Sequence, residues 1–175
     1  MIVFCGASGG NQNIYAEMAE SLGKKLADSG IHAIYGGANI GLMGIFADSV
    51  LKNGGTITGI IPGFLENKEI AHTGLTSLEI VTTMHERKQR MYELGDAVIA
   101  LPGGWGTMDE LFEMLTWGQI GLHEKPIGVL NVNGYYDALD LLMRRMVADG
   151  FLRPQHLETV HIEAGIDDLL AAICK

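Results

Sequence analysis

Short runs of unbroken apolar residues alternate along this chain with longer segments in which apolar positions recur every three or four residues. The runs predict strands at Ile2–Cys5, His32–Tyr35, Thr56–Ile61, Ser77–Val81, Ala97–Leu101, Ile127–Val132 and Thr159–Ile162. The periodic segments predict helices at Tyr15–Ser29, Gly41–Asn53, Met84–Leu94, Thr107–Ile120, Tyr135–Asp149 and Ile166–Ile173. Strands that are hydrophobic on every residue are expected where both faces of a parallel sheet are covered. Alternation of this kind predicts an α/β fold, a doubly wound and mainly parallel sheet flanked by helices. No repeat, low-complexity tract or linker divides the pattern, so residues 1–175 read as a single domain.

In such sheets ligands bind beyond the carboxyl ends of the strands, near the switch in strand order. Three glycine clusters fall at strand ends: Gly6-Ala7-Ser8-Gly9-Gly10, Gly36-Gly37 with Gly41 and Gly44, and Gly103-Gly104-Trp105-Gly106. The last is followed by a helical pattern that opens at Thr107. Glycines there leave backbone N–H groups uncovered, and a helix start adds orphan N–H groups and the positive end of its dipole. That combination binds a phosphate or another compact anion. Asp109 and Glu110, read as lying in the same first turn, would repel one, which suggests chemistry on a phosphorylated substrate.

Composition narrows the partners. The formal charge of −9 argues against nonspecific nucleic-acid binding, so any phosphate site must be cationic only locally. The 47% hydrophobic and 19% charged content is that of a soluble globular protein. Met1 runs into Ile2–Cys5 without a basic segment or cleavage pattern, so neither a signal peptide nor a membrane span is expected. Cys5 and Cys174 stand at opposite ends without metal-ligand spacing. They read as buried thiols in a reducing cytosol.

The familiar nucleotide motifs are absent. Gly6 to Gly10 does not spell G-x-G-x-x-G, and no acid for a ribose hydroxyl follows Tyr35-Gly36-Gly37. No G-x-x-x-x-G-K-[ST] occurs, and His72 and His85 lack metal-ligand spacing. No metal or cofactor is therefore called for. Cationic residues instead concentrate in His85-Glu86-Arg87-Lys88-Gln89-Arg90, at the start of a predicted helix. Arg suits bidentate phosphate or carboxylate recognition, and Lys adds a point charge. For Arg90 a solvated face with a Glu86 partner at i, i+4 is an equal alternative.

Thr107-x-x-Glu110 has the form of a capping box, as does Thr83-x-x-Glu86. Glu110 is thus either a helix cap or a catalytic acid, while Asp109 is read as complementing the helix dipole. Trp105 would stack on a base or merely cover the loop. The polar segment Gly63 to Gly74 reads as a loop near a pocket, with Glu66, Lys68, Glu69 and His72 as candidates. Met84, Met91, Met108 and Met114 read as core filler or as the lining of an adaptable pocket.

Pro102-Gly103-Gly104-Trp105-Gly106-Thr107-x-x-Glu110 and Met84-His85-x-Arg87-Lys88-x-x-Met91 together resemble the paired signatures of the Lonely Guy (LOG) family. The likeness extends through Tyr35-Gly36-Gly37, Gly41-Leu42-Met43-Gly44 and Gly74-Leu75-Thr76. It departs in the first glycine loop and at Ala38, and Trp105 stands where Tyr is common. Ser8 is kept. The family consists of cytokinin riboside 5′-monophosphate phosphoribohydrolases, many under the old label lysine decarboxylase, for which no pyridoxal-phosphate motif exists here. The resemblance implies a modified Rossmann fold, a homodimer with sites near the subunit interface, and AMP as ligand or substrate. It assigns substrate contacts to Ser8, Glu69, Arg87, Lys88, the loop Gly104-Trp105-Gly106-Thr107-Met108-Asp109-Glu110, and Thr116. Arg87 and Glu110 would be the catalytic pair. A nucleotide or molybdenum-cofactor carrier of related fold is the alternative, in which Glu110 would be only a cap.

Overall fold

The computed structural model describes residues 1–65 and 71–174. Among these residues seven strands appear in chain order: β1 (Ile2–Phe4), β2 (Ala33–Tyr35), β3 (Ile57–Pro62), β4 (Ser77–Val81), β5 (Val98–Ala100), β6 (Ile127–Leu130) and β7 (Val160–Glu163). The helices are α1 (Asn13–Asp28), α2 (Gly41–Lys52), the single turn α3 (Gly63–Leu65), α4 (Met84–Leu94), α5 (Trp105–Gln119), α6 (Asp137–Ala148), the short α7 (Pro154–Leu157) and α8 (Ile166–Ile173). Each predicted strand and helix is present; α3, α7 and a 3-10 turn at Val132–Gly134 are additions.

All seven strands run parallel in one sheet, in the order β4-β3-β2-β1-β5-β6-β7. The chain steps outward from β1 to β4, returns to lay β5 against β1, and steps outward on the other side. The switch point lies between β1 and β5, where Val3 pairs with Ile99 and Phe4 with Ala100.

Residue parity explains why the inner strands are largely apolar, whereas the edge strands β4 and β7 carry Glu79 and His161. Ile2, Phe4, Ile34, Ile60, Val98 and Ala100 face one layer, with Met91 of α4 and Leu111 and Met114 of α5. Their neighbours Val3, Cys5, Ala33, Tyr35, Ile99 and Leu101 face the other. There they meet Leu22 and Leu26 of α1, Phe46 and Val50 of α2, and Leu169 and Ile173 of α8. A strand between two helical layers buries both faces, so its hydrophobic run cannot alternate. Among the described residues no helix is long and apolar enough to cross a membrane.

Candidate active site

The loops leaving β1, β2 and β5 converge at the switch point around a cavity of about 660 Å³. Close backbone approaches hold them together. The Gly6 N–H donates to the Pro102 carbonyl at 3.1 Å, and the Leu42 N–H donates to the Gly6 carbonyl at 3.0 Å. A side chain on Gly103 would strike the Thr107 hydroxyl at 2.0 Å, whereas one on Gly104 or Gly106 would meet nothing within 4 Å. Gly103 is thus required by the protein itself. Gly104 and Gly106 leave space for something else.

Three of the six longer helices described begin at this cavity, and their starts differ from those of the other three. Helices α1, α2 and α5, with Gln12, Ile40 and Gly104 at their N-caps, make no side-chain capping bond and carry no acid in the first turn. In contrast, α4, α6 and α8 carry Glu86, Asp137 with Asp140, and Asp167 with Asp168. The dipoles aimed at the cavity are therefore uncompensated by the chain's own acids, which is the electrostatics of an anion site.

On the cavity floor, Arg87 and Glu110 are 8% and 7% exposed, and Arg87 Nη1 lies 3.0 Å from Glu110 Oε1. Arg87 Nε donates to the Ile60 carbonyl at 3.0 Å, which ties α4 to β3 and fixes the guanidinium. Burial raises the proton affinity of Glu110, and the Arg87 charge opposes that rise. Cys5 lines the same cavity, and burial holds its thiol protonated well above the usual range.

The helix start differs from the expectation in a way that decides what Glu110 does. Helix α5 begins at Trp105 with Gly104 as N-cap, so Thr107 is its third residue and no capping box forms there. Asp109 consequently lies beyond the first turn and pairs with Lys88 at 3.1 Å, not with the helix dipole. The other Thr-x-x-Glu segment is a true cap: Thr83 Oγ1 accepts from the Glu86 N–H at 3.1 Å, and Glu86 Oε2 accepts from the Thr82 N–H at 2.8 Å. Glu86 is thereby unavailable to Arg90, which bonds Glu79 of β4 and Glu93 instead.

The structure brings Ser8, Arg87, Gly104, Trp105, Gly106, Thr107 and Glu110 together around the cavity. It does not bring Lys88, Met108, Asp109 or Thr116 there. Lys88 Nζ is held between Asp109 and Glu113 at 3.1 and 3.0 Å, apart from any phosphate network with Glu110. Met108, Asp109 and Thr116 line a separate groove on the outer side of α5, with Trp105, Phe112, Glu113 and Trp117. Glu66, Lys68 and Glu69 lie outside the described residues. His72 is a brace: its N–H donates to the Gly37 carbonyl at 2.9 Å, and its ring bridges Asp48 and the Gly74 N–H at 3.0 Å each. Met91 and Met114 are core; the methionine that lines the cavity is Met43. Gly36 of the second glycine cluster lines it as expected of a strand exit, and Tyr15 and Tyr135 line it without belonging to any motif of the sequence. The Asn-Gly turn just before Tyr135 was the available signal, because it places that residue at a strand exit.

A family model described as possible lysine decarboxylase matches residues 43–173. A probable cytokinin riboside 5′-monophosphate phosphoribohydrolase of Oryza sativa subsp. japonica is 48% identical over 86% of this chain and 68% of its own length. A cytokinin riboside 5′-monophosphate phosphoribohydrolase of Rhodococcoides fascians is 46% identical over 98% of this chain and 87% of its own. Among solved structures, the molybdenum cofactor binding protein of Rippkaea orientalis superposes with a TM-score of 0.73 at 23% identity, over 99% of this chain and 96% of its own.

Proposed function

Because the chain belongs to the Lonely Guy family of cytokinin riboside 5′-monophosphate phosphoribohydrolases, we propose that it hydrolyses the N-glycosidic bond of a nucleoside 5′-monophosphate, either AMP or a cytokinin derivative. The products are free base and ribose 5-phosphate. The observation that carries this is the buried Arg87–Glu110 pair on the floor of a cavity ringed by uncapped helix starts. A carrier needs the anion cradle, but it gains nothing from a buried acid beside the anion. The solved carrier-like neighbour, at 23% identity, shares the fold alone.

On this reading residues 1–175 form one nucleotide-binding domain. The 5′-phosphate lies against the N–H groups of Gly104, Gly106 and Thr107, with the Thr107 and Ser8 hydroxyls as further donors. Glu110 then faces the ribose. As the bond from C1′ to the base lengthens, its electron pair leaves with the base, and the carboxylate stabilises the positive charge at C1′. Water supplies the new C1′ hydroxyl, Glu110 accepts a proton from it, and that proton passes by way of solvent to the departing base nitrogen, which returns Glu110 to its carboxylate. Arg87 keeps the buried carboxylate ionised and oriented. The scheme calls for no cofactor or metal.

Incubation with AMP should release adenine, detected by chromatography. Glu110→Gln keeps an acceptor for Arg87, so AMP should still bind while kcat falls by about 10²–10⁴-fold. A wild-type protein that leaves both AMP and prenylated AMP intact would overturn the proposal.

The proposal includes a cytoplasmic homodimer. Cys5 is buried as expected and Cys174 is exposed instead, because it follows the last turn of α8; both are free thiols, which suits a reducing compartment. Support for the dimer comes from the outer side of α5, where Trp105 is 92% exposed beside Phe112 and Trp117. Large aromatics on a helix face are expected at an interface core. Met108, Asp109 and Thr116 share that side, and Lys88 is bonded to its Asp109 and Glu113, so on this reading they serve a substrate in the cavity of a second copy.

A further inference from the structure

The turn between β6 and α6 presents two consecutive tyrosines to the exit of β5. It is fixed from within: Asn131 Oδ1 accepts from the Tyr136 N–H at 2.7 Å, and Asn131 Nδ2 donates to Asp137 Oδ1 at 2.7 Å. Asn133 adopts the left-handed conformation, with φ of 51°, and Gly134 follows at 71°. Asn133 Nδ2 also donates to Gln12 Oε1 at 3.0 Å, which ties the turn to the start of α1. The rings of Tyr135 and Tyr136 meet edge to face at 4.9 Å, and Tyr135 meets Tyr15 likewise at 5.8 Å. So held, Tyr136 donates its hydroxyl to the Leu101 carbonyl at 2.7 Å, and Tyr135 donates its own to the Gly103 carbonyl at 2.6 Å.

The two bonds are not equivalent. The peptide that follows the Leu101 carbonyl belongs to Pro102 and has no N–H, so the Tyr136 bond orients no donor. The Gly103 carbonyl belongs to the peptide whose N–H is that of Gly104, the N-cap of α5. In a trans peptide the carbonyl and the N–H point in opposite directions, so fixing one aims the other. That peptide lies between two glycines and is the least restrained by its neighbours. Gly103 cannot be otherwise, because the Thr107 hydroxyl occupies the space of a side chain. The constraint must therefore come from outside the loop. A hydrogen bond accepted by a peptide carbonyl also polarises the N–H of the same peptide and makes it the stronger donor.

We propose that Tyr135 is a positioning residue for the anion cradle: its hydroxyl fixes and polarises the Gly103–Gly104 peptide, while Tyr136 serves the strand exit alone. This rests on the reading of the glycine loop as the phosphate site. It does not depend on whether the bound nucleotide is cleaved.

Titration calorimetry with ribose 5-phosphate, AMP and adenosine on wild type and Tyr135→Phe separates the possibilities. The phenylalanine keeps the ring against Tyr15 and loses only the hydroxyl. Affinity for the two phosphorylated ligands should drop about fivefold to tenfold, with adenosine unaffected. Tyr136→Phe should instead lower the thermal midpoint, through the buried Leu101 carbonyl, and leave the affinities in place. Unchanged binding of AMP and ribose 5-phosphate by Tyr135→Phe, or an equal loss for adenosine, overturns the assignment. Adenine release is followed in the same samples. Wild type that binds AMP without releasing adenine defeats the hydrolase proposal, and the calorimetry still decides the role of Tyr135.

Discussion

At the scale of single residues, Gly36 is what lets the acid and the guanidinium meet. A side chain there would lie 1.9 Å from Arg87 Nη2 and 3.2 Å from Met43 Sδ. Gly36→Ala should therefore displace the guanidinium from Glu110 and cut kcat/KM by about 10²-fold, since misplacement of a catalytic group by an ångström has that scale. The same substitution tests the electrostatics. Burial raises the proton affinity of Glu110 and Arg87 restrains the rise, so the acid limb of the wild-type pH–rate profile should lie above the ordinary glutamate value. Activity should increase with pH through that limb, as the carboxylate forms. In Gly36→Ala the limb should move higher still, because the restraint is gone. Stability follows the opposite course. Between the unfolded and the folded value of Glu110 the folded chain binds more protons, so this residue's contribution falls as pH rises through that window. Denaturant unfolding of Glu110→Gln across the same window should lack that slope.

At the scale of elements, the starts of α4 and α5 share a Thr-x-x-Glu sequence and differ in use. Thr83→Ala removes a cap and should cost about 1 kcal/mol of stability with kcat/KM unchanged, by denaturant unfolding and steady-state kinetics. The same change at Thr107, which is buried beside the anion cradle, should appear chiefly as a higher KM for AMP. The contrast also shows what local sequence can and cannot convey. Strand and helix positions were legible because parity and period are local, and burial on both sheet faces left apolar runs that turns punctuate. Helix α5 starts two residues before the expected Thr107, because Trp105 and Gly106 have no helical signal in the sequence. The helix expected from Tyr135 starts at Asp137, and the strand expected to Val132 ends at Leu130, because Asn133 and Gly134 take left-handed backbone that only the folded context selects. The Arg87–Glu110 pair could be suspected from the signatures. Its surroundings could not, because Gly36, Ile60, Arg87 and Glu110 come from four separate segments that only the strand order brings together.

At the scale of the whole molecule, the return of the chain from β4 to β5 places α5 with one side on the cavity and the other on solvent. Trp105 lines both the cavity and the outer groove, so whatever covers that groove also touches the site. If a second copy covers it, Phe112→Asp, which alters the groove and not the cavity, should yield a particle of one chain by light scattering and lower adenine release together. A sharper test uses two defective chains. Glu110→Gln lacks the acid of its own cavity, and Lys88→Ala lacks the cation that holds Asp109 and Glu113 of the outer groove. In a mixed dimer, one of the two cavities combines an intact Glu110 with the intact Lys88 of its neighbour. Mixing the two variants should then restore about a quarter of wild-type turnover, because half of randomly paired dimers are mixed and each holds one complete site. No recovery, with mixed dimers demonstrated by mass spectrometry, would mean that Lys88 acts only within its own chain, as the brace between α4 and α5 that its bonds to Asp109 and Glu113 already make it.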